Sequence, residues 1–360
     1  MVRELLFLLQ VKSACSSARQ FLFRCGCYFT ERSCNRPGGA INRMWSTAEK
    51  SLDLNCDREP TGYLHDDYAG ALSEFGEPIR LRQSQGWLLR RPISGTPWFD
   101  AMGCYPFLSC RDWSRLPEDV EALKGSCIAV SLVTDPFGFY RPYDLNRAYW
   151  DHMIPFKKHH VIDLSQPMQS YVTSHHRRNA NCALKNVRVE RCAEPANFAE
   201  EWLNVYERLV QRHGLQGFLR FSKRSFQEML RVPGIVLFRG ISEAKIVCMQ
   251  LWYEQGNVAY YHLGASTDAG YRKKAAFAIF WTAINYFTNR GMKWIGLGGG
   301  AGRRDSQDTG LNRFKKGWAN DFRLTYLCGR ILDPPTYRKI QQLRDRKGTE
   351  YFPAYREGEF

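Results

Sequence analysis

Residues 257–300 read NVAYYHLGASTDAGYRKKAAFAIFWTAINYFTNRGMKWIGLGGG and divide into three parts. NVAYYHLGA is rich in aromatic and β-branched residues, which predicts a strand. The segment from Arg272 to Arg290 is apolar nearly all round and is followed by Gly291, which predicts a buried helix with a glycine at its end. KWIGLG then predicts a second strand. This order of strand, buried helix and strand indicates a layered domain that contains both helices and a sheet.

The flanking sequence extends the pattern to an α+β arrangement. Two β-rich runs, IVLFRG (235–240) and AKIVCMQLWYE (244–254), precede the strand, and QGN (255–257) predicts a tight hairpin in an antiparallel meander. Helices are predicted over 167–184 and 196–213, and from the N-cap Ser222 to a stop before Pro233. Beyond the glycines we expect a short helix from Thr309, the strand FRLTYLCGRI (322–331) and a basic helix from about Pro335.

Composition and length favour two domains that follow a basic N-terminal segment. The chain has 360 residues, 44% of them hydrophobic, which is enough for one large core or two ordinary ones. We predict that residues 1–43 are a basic, disordered N-terminal segment, or that the start codon is mis-assigned. In either case Met44 begins the ordinary globular sequence. Residues 60–165, read as strands, turns and a short helix, form a first domain, and residues 166–347 form a second. No uncharged run reaches the 18–20 residues or so of a membrane span.

Charge and cysteine content bear on partners and compartment. The net charge is +15, and residues 303–347 hold 12 Lys/Arg against 5 Asp. Such clustering indicates an anionic partner, although a solvated basic helix gives the same pattern. The 12 cysteines follow no zinc or redox spacing. They are predicted to be reduced, buried thiols of a cytoplasmic protein, and no metal site is predicted.

The glycine-rich stretch GLGGGAGRR (296–304) has the look of a phosphate-holding loop. GLGGGA satisfies the dinucleotide pattern G-x-G-x-x-G/A, but the polar residues that follow cannot open an amphipathic helix that packs on a sheet. A Walker A loop is excluded because no Gly-Lys-Ser/Thr occurs. A plain turn remains the alternative reading.

Three segments in order carry a resemblance to a known family. YYHLGAS (260–266), GMKWIGLGGG (291–300) and GLNRFKKGW (310–318) together resemble the FemAB-like branch of the GNAT acyltransferase superfamily, over about residues 160–332. The resemblance implies tandem GNAT-like domains, the first of them degenerate, each a mixed and mostly antiparallel sheet flanked by helices.

The resemblance also implies an activity. Members of this branch include peptidoglycan aminoacyltransferases and acyltransferases of exopolysaccharide and envelope loci. It therefore implies an enzyme that forms an amide on an amine of a peptidoglycan, exopolysaccharide or lipid-linked precursor. The partners would be an activated acyl donor and a phosphorylated or lipid-linked sugar or peptide acceptor, met in the cytoplasm or peripherally at the inner membrane.

No tightly bound cofactor is expected, and the donor stays open between aminoacyl-tRNA and acyl-CoA or an acyl carrier. STDAGYRKKA (266–275) lacks the glycines with which ordinary GNAT enzymes seat the coenzyme A pyrophosphate. The chain also lacks the coiled-coil arm of some members that use tRNA, so a tRNA contact stays open too.

The resemblance and the residue chemistry select two catalytic candidates. Lys315 occupies the lysine of the family's Phe-Lys motif, and its ammonium would stabilise the oxyanion of acyl transfer; the alternative is an ordinary surface lysine. His262, at the end of a predicted strand, has a suitable pKa to accept a proton from the acceptor amine; the alternative is a core histidine.

Substrate-binding candidates surround these two. Arg177 and Arg178 would clamp a pyrophosphate, or else lie on a solvated helix face. The remaining candidates belong to the glycine loop and the short helix after it, where a helix N-terminus capped by Thr309 would add partial positive charge: Gly298, Gly299, Gly300, Arg303, Thr309 and Phe314.

Two readings from other classes stay open. The basic C-terminal region, with Trp318, Tyr326 and Tyr337 interleaved, would suit a nucleic-acid-binding protein. A non-catalytic GNAT-like scaffold of an envelope pathway is the other.

Overall fold

A computed structural model describes residues 59–149, 151–215, 220–300, 310–346, 348–349 and 351–358. The predicted N-terminal segment, residues 1–43, lies outside them, so its assignment stays a prediction. The strands are β1 (Glu77–Leu81), β2 (Gly86–Pro92), β3 (Phe99–Gly103), β4 (Ala129–Val133), β5 (His152–Asp163), β6 (Arg188–Cys192), β7 (Ile235–Ser242), β8 (Lys245–Gln255), β9 (Val258–Ser266), β10 (Trp294–Gly298) and β11 (Asp321–Ile331).

Helices lie between the strands. They are α1 (Asp66–Ala71), α2 (Leu116–Glu121), α3 (Pro142–Ala148), α4 (Met168–Tyr171), α5 (Ser174–Leu184), α6 (Ala199–His213), α7 (Lys223–Met229), α8 (Asp268–Arg272), α9 (Ala275–Asn289), α10 (Gly310–Lys316) and α11 (Pro334–Leu343). The predicted α+β class, a mixed and mostly antiparallel sheet flanked by helices, is confirmed.

All eleven strands form one sheet in the order β1-β2-β3-β4-β11-β5-β10-β9-β8-β7-β6. Neighbours are antiparallel except for two parallel pairs, β3 with β4 and β9 with β10. Each half of the sheet therefore has a meander, one parallel strand and a closing antiparallel strand. This topological repeat matches the predicted tandem GNAT-like arrangement.

The two halves exchange their closing strands. β5 follows the first half along the chain but pairs with β10 of the second half, whereas β11 follows the second half and pairs with β4 of the first. β5 and β11 also pair with each other, from Asp321 opposite Val161 to Gly329 opposite His152. The predicted domain limits 60–165 and 166–347 stay a prediction, but the sheet runs continuously across them.

Residues 257–298 fold as their sequence pattern indicates. Gly256 has a φ of +58°, which glycine adopts readily, and it makes the two-residue turn between β8 and β9. α9 is apolar nearly all round because it lies in the main hydrophobic core, where Ile279, Phe280 and Phe287 are fully buried against β7 and β8. The fold-determining prediction for residues 257–298 is therefore confirmed.

The structure changes the bounds of two predicted helices. The helix predicted over 167–184 is interrupted at Val172 and Thr173, because the Thr173 side chain caps a new helix by accepting from the His176 N–H. The helix predicted over 272–290 begins only at Ala275, because Lys274, a non-glycine residue with a φ of +56°, separates α9 from the short α8. The predicted end of α6 at Gly214 and the Ser222 cap of α7 are confirmed.

Cysteines in the described part of the chain are free thiols. Six of these seven are buried, as predicted, and Cys182 is exposed, which corrects the prediction for that residue. Among the described residues, no helix is both long enough and apolar enough to cross a membrane.

Candidate active site

α10 is anchored by its apolar face to the main core. The Phe314 ring lies 5.0 Å, centroid to centroid, from both Phe277 and Phe280 of α9. Just beyond the helix, Trp318 is fully buried and stacks on Phe280. The side chains on the rest of this short helix are therefore held in fixed directions.

His176 of α5 fixes the backbone of α10. Its Nδ1 lies 2.9 Å from the Thr173 hydroxyl, and its Nε2 lies 3.0 Å from the Phe314 carbonyl oxygen, to which it donates. Burial lowers the pKa of His176, so the ring is neutral with its proton on Nε2. A Cβ on Gly317 would lie 2.0 Å from this ring, so only glycine fits there.

Lys315 lies where β9 and β10 part. These strands pair over only three residues each, up to Tyr260 and Gly296. The Lys315 ammonium donates a 2.7 Å hydrogen bond to the Gly299 carbonyl and lies 5.9 Å from the ring centroid of Tyr261. With 7% of its surface exposed, Lys315 is not the surface lysine of the alternative reading.

β5 supplies a second lysine and a histidine to the same place. Lys157, which is 5% exposed, donates a 3.1 Å hydrogen bond to the Gly300 carbonyl. His159 is equally buried beside Gly299, whose position for a Cβ lies 3.3 Å from the His159 ring. His160 points to the other face and lies 2.6 Å from the Asn312 side-chain oxygen of α10.

Burial and neighbouring charges shift the pKa values of two groups in the site. Burial, together with the charge of Lys157, lowers the pKa of Lys315 to about 7. Burial and both lysines lower the pKa of His159 to about 3, so this imidazole is neutral. Among the described residues, no carboxylate contributes to either shift. The arrangement suits the binding of a negatively charged oxygen.

The glycine loop is shaped around these lysines. Gly298 has a φ of +78°, and a Cβ there would lie 3.1 Å from the Lys315 Nζ. Gly299 and Gly300 accept from the two lysines through their carbonyl oxygens. The loop therefore meets the site with carbonyls here, whereas a phosphate-holding loop presents N–H groups. Arg303 and Thr309 lie outside the described residues, and all these substrate contacts stay predictions.

His262 lies deep in an aromatic cluster. It is the extra residue of a bulge in β9, and its Nδ1 lies 3.1 Å from the Tyr63 hydroxyl. Its Nε2 has no partner among the described residues, and burial lowers its pKa to about 3. Its surroundings, with Tyr68, Tyr105 and Tyr253 around the ring, are those of a core histidine, and a proton-accepting role for it stays a prediction.

The predicted arginine clamp is not assembled by the described residues. Arg177 donates to the Gln169 carbonyl at 2.5 Å, and Arg178 is exposed on α5. Phe314 turns its ring into the core. Substrate binding by these three residues stays a prediction.

Two of the three residues proposed to stack on nucleic-acid bases are buried. Trp318 is fully buried and Tyr337 is 6% exposed, so neither ring is available to stack on a base. That part of the prediction is wrong, and the reason is that both aromatic residues anchor helix ends to the core.

Sequence reasoning missed Lys157, His159 and His160. The signal was present as KKHH (157–160), a run of basic and imidazole side chains inside a strand. Such a run in the middle of a sheet places two of its members on each face, because side chains alternate along a strand.

A group with metal-ligating atoms occurs elsewhere in the described chain. His65, Asp66 and Asp67 have ligand atoms within 4.8 Å of one another, with both aspartates exposed. His65 caps α1 by accepting from the Asp67 N–H, which explains the grouping. The expectation of no metal site stays a prediction.

A comparison with known protein families identifies the class of this domain. Residues 171–316 match the family profile described as acetyltransferase (GNAT) domain. The part of the chain that carries α10, Lys315 and the glycine loop is therefore a GNAT acyltransferase domain. A comparison with curated protein sequences finds no significant match.

Solved structures extend the likeness over most of the chain. A crystal structure of FemX is 15% identical, with a TM-score of 0.58, and the match covers 82% of this chain and 98% of FemX. The C-terminal domain of a putative lysylphosphatidylglycerol synthetase from Agrobacterium fabrum is 14% identical, with a TM-score of 0.54 and coverage of 74% and 88%. L-PGS from Bacillus licheniformis is 14% identical, with a TM-score of 0.52 and coverage of 84% and 99%. The predicted resemblance to the FemAB-like GNAT branch is thus confirmed in the fold.

Proposed function

We propose that this protein transfers an acyl or aminoacyl group to an amine of a bacterial cell-envelope precursor and forms an amide. The observation that carries the proposal is the buried ammonium of Lys315, held at the parting of β9 and β10 inside a GNAT acyltransferase domain. Burial of a cation costs free energy. A role in stabilising the negative charge that develops during acyl transfer explains why the cation is kept there.

The proposed chemistry needs one developing charge to be stabilised. The lone pair of the acceptor nitrogen forms the C–N bond, and the carbonyl π electrons move to oxygen. The oxyanion then re-forms the carbonyl and expels the alkoxide or thiolate of the donor. The proton that the nitrogen loses passes to that departing oxygen or sulfur, so charge and atoms balance. Lys315 donates a hydrogen bond to the oxyanion in this step.

We propose a donor other than acetyl-CoA. In the loop before α9, Gly270 is fully engaged in packing, because a Cβ there would lie 2.0 Å from the Val247 carbonyl oxygen. Lys274 takes the left-handed conformation at the start of α9 and leaves no row of glycine N–H groups for a pyrophosphate. An aminoacyl ester on tRNA, or an acyl group on another carrier, is consistent with this loop.

For the acceptor we propose a phosphorylated or lipid-linked sugar or peptide, met at the cytoplasmic face of the inner membrane. The support is the net charge of +15 and the likeness in fold to FemX and to lysylphosphatidylglycerol synthetases. These names describe the neighbours, and for this chain they define the compounds to test first.

Transfer assays with Lys315→Ala test the proposal. Charged tRNA and acetyl-CoA are offered as donors to an extract of envelope precursors, and amide products are measured by mass spectrometry. Losing an oxyanion donor lowers turnover by roughly two to three orders of magnitude, with substrate affinity nearly unchanged. Lys316→Ala is the matched control, because Lys316 is the exposed next residue of the same helix.

Equal loss of turnover in both variants would show that the basic helix acts only as a general electrostatic surface. The absence of any amide product from every donor would favour the non-catalytic scaffold instead.

A further inference from the structure

Arg323 of β11 lies in a corner formed by two aromatic rings. Its guanidinium carbon is 4.4 Å from the ring centroid of Phe137 and 4.5 Å from that of Trp294. The two ring centroids are 6.0 Å apart and the rings are tilted by 51°, so they cover the cation from two directions and do not enclose it. Arg323 and Trp294 are both half-buried. The guanidinium is therefore held in place and keeps an open side.

The Phe137 wall of this corner is fixed by the surrounding structure. The Phe137 N–H donates a 2.8 Å hydrogen bond to the Asp135 carboxylate, and its ring lies 5.6 Å, centroid to centroid, from that of Tyr260. The ring also lies against Gly296, where a Cβ would be 3.1 Å from it. A side chain at position 296 would crowd this ring, so the first glycine of GLGGG helps to form the corner.

Most hydrogen-bond donors of Arg323 are unused within the described part of the chain. A guanidinium carries five N–H donors. Among the described residues, Arg323 makes a single hydrogen bond, from Nη1 to the Pro136 carbonyl oxygen, and its length of 3.4 Å makes it weak. The aromatic rings contact the cation but accept none of its remaining N–H groups in the plane of the fork.

Two carboxylates act on Arg323 from further away, and neither forms an ion pair with it. Asp135 accepts hydrogen bonds from the hydroxyl groups of Ser109 and Tyr260. Asp321 is exposed and accepts from the N–H of the next residue. Both charges favour the charged form of Arg323 without taking its donors.

Arg239 of β7 shows how this chain fills a guanidinium that stacks on a ring. Its carbon lies 4.7 Å from the ring centroid of Phe198. Its Nε and Nη2 lie 2.8 Å and 2.7 Å from one carboxylate oxygen of Glu190, to which they donate. Arg323 contacts two rings where Arg239 contacts one, and no carboxylate of the described residues takes the corresponding place.

We infer that Arg323 binds an anionic group of a ligand, a carboxylate or a phosphate, through the open side of its guanidinium. Both groups present pairs of oxygens that match the spacing of the guanidinium N–H donors. Contact with two rings orients the planar fork before the ligand arrives, so less side-chain entropy is lost on binding.

The position of Arg323 connects this subsite to the proposed acyl transfer. Arg323 lies opposite His159 in the pairing of β5 with β11, so both side chains are on one face of the sheet. His159 lies beside Gly299, whose carbonyl accepts from Lys315. In this half the inference rests on the proposed function: Arg323 holds the anionic group of the acceptor while the amine of the acceptor reaches the carbonyl at Lys315.

Melting with small anions tests the binding half without a transfer assay. The full-length protein is heated at about pH 7.5 with increasing inorganic phosphate or acetate, and chloride keeps the ionic strength constant. A ligand that binds only the folded state raises the Tm, and we expect a shift of about 1–3 °C with at least one of these anions. A response to phosphate alone identifies a phosphate site, and a response to acetate alone identifies a carboxylate site.

Substitution of Arg323 assigns the shift to this side chain. Arg323→Met should remove most of it. Arg323→Lys should also remove most of it, because a compact ammonium does not replace the planar fork. Arg323→Lys keeps the charge and much of the apolar stem, so it tests the inference even if methionine weakens the fold.

Arg239→Met is the matched control, because Arg239 also stacks on a ring but already pairs with Glu190. It should show the full anion shift relative to its own Tm. The inference is wrong if neither anion stabilises the wild-type protein, or if both Arg323 variants respond as strongly as the wild type. A shift that occurs only in Asp321→Asn would mean that the Asp321 carboxylate occupies the guanidinium, and it would also overturn the inference.

Transfer kinetics test the half that depends on the proposed function. Arg323→Lys should raise the KM of an anionic acceptor about 10-fold and change kcat little, because a contact kept from the ground state to the transition state contributes to binding alone. Acceptors without an anionic group should show no such rise, and an equal rise for both kinds of acceptor would contradict this half. If anion binding follows Arg323 but no donor gives product, the proposed function fails while the anion site stands.

Discussion

The burial of Lys315 makes a prediction about stability at the scale of one residue. Its pKa falls from 10.5 to about 7 on folding, so the unfolded chain holds the proton more tightly than the folded protein. Between about pH 7 and pH 10.5 the unfolded state binds more protons, and stability contributed by this group rises with pH. Below about pH 7 the full cost of the buried charge remains. Lys157 and His159 of β5 and Tyr261 of β9 are the titratable neighbours.

Lys315→Met should therefore stabilise the free protein at pH 7 by a few kcal/mol, while it removes activity. Denaturant unfolding at pH 6 to 9 measures the effect: the gain should shrink as pH rises, because the wild-type lysine then folds uncharged. Lys316→Met, at an exposed position, should change the free energy of unfolding little at any pH. A destabilised Lys315→Met would mean that the ammonium is already well satisfied in the resting protein.

The residues of the site differ in how well they can be predicted from the sequence. Lys315 was predictable because it belongs to a recognisable Phe-Lys pair in a glycine-bounded helix. Lys157 and His159 belong to a strand with no motif, and they reach the site only because β5 pairs with β10, about 140 residues further along the chain. Site residues that are brought together by such long-range strand pairing cannot be predicted until the sheet topology is known.

At the scale of elements, a close contact at Gly317 helps to fix the direction of α10. The Gly317 position is filled by the His176 ring, which is itself enclosed by Phe277 and Trp318 and hydrogen-bonded at both nitrogens. Gly317→Ala should cost about 1–3 kcal/mol, because the added methyl group meets a ring that cannot move aside. Turnover should fall as well, since α10 carries Lys315.

Gly70→Ala is the matched substitution. Gly70 lies in α1 and a Cβ there would meet no atom within 4 Å, so alanine should be neutral or stabilise by about 0.5–1 kcal/mol. Chemical denaturation of both variants compares them directly. A Gly317→Ala protein as stable and active as Gly70→Ala would show that His176 does not hold α10.

Element boundaries follow the local sequence only where local chemistry sets them. The Ser222 cap and the Gly214 terminus were predictable, because a side-chain oxygen and a residue with positive φ each end or begin a helix by themselves. The break before α9 was not, since Lys274 adopts a positive φ that its sequence does not favour. The Lys274 ammonium donates a hydrogen bond to the Asn179 side-chain oxygen of α5, a contact with a segment about 95 residues earlier in the chain.

At the scale of the molecule, local patterns predicted most elements of the second half and the resemblance predicted two GNAT-like halves, but neither predicted β5 or the exchange of closing strands. Strand order depends on pairing between distant segments, and the local sequence of β5 does not specify which strands it pairs with. The first half also takes core residues from the far end of the chain. Cys328 and Leu332 pack in one of its clusters, and Ile340 and Tyr355 in another.

This exchange predicts that residues 60–165 and 166–347 do not fold separately. The first segment would hold β5 without either of its partners, and the second would lose β5 from its place between β10 and β11. Each segment alone should show broad, non-cooperative unfolding, and the two expressed together should recover a single cooperative transition, which circular dichroism on heating and in denaturant would measure. A sharp transition in the isolated second segment would mean that β5 is dispensable for its core. In that case Lys157 would be supplied by a strand that docks onto a finished GNAT domain, and the site would be assembled after folding.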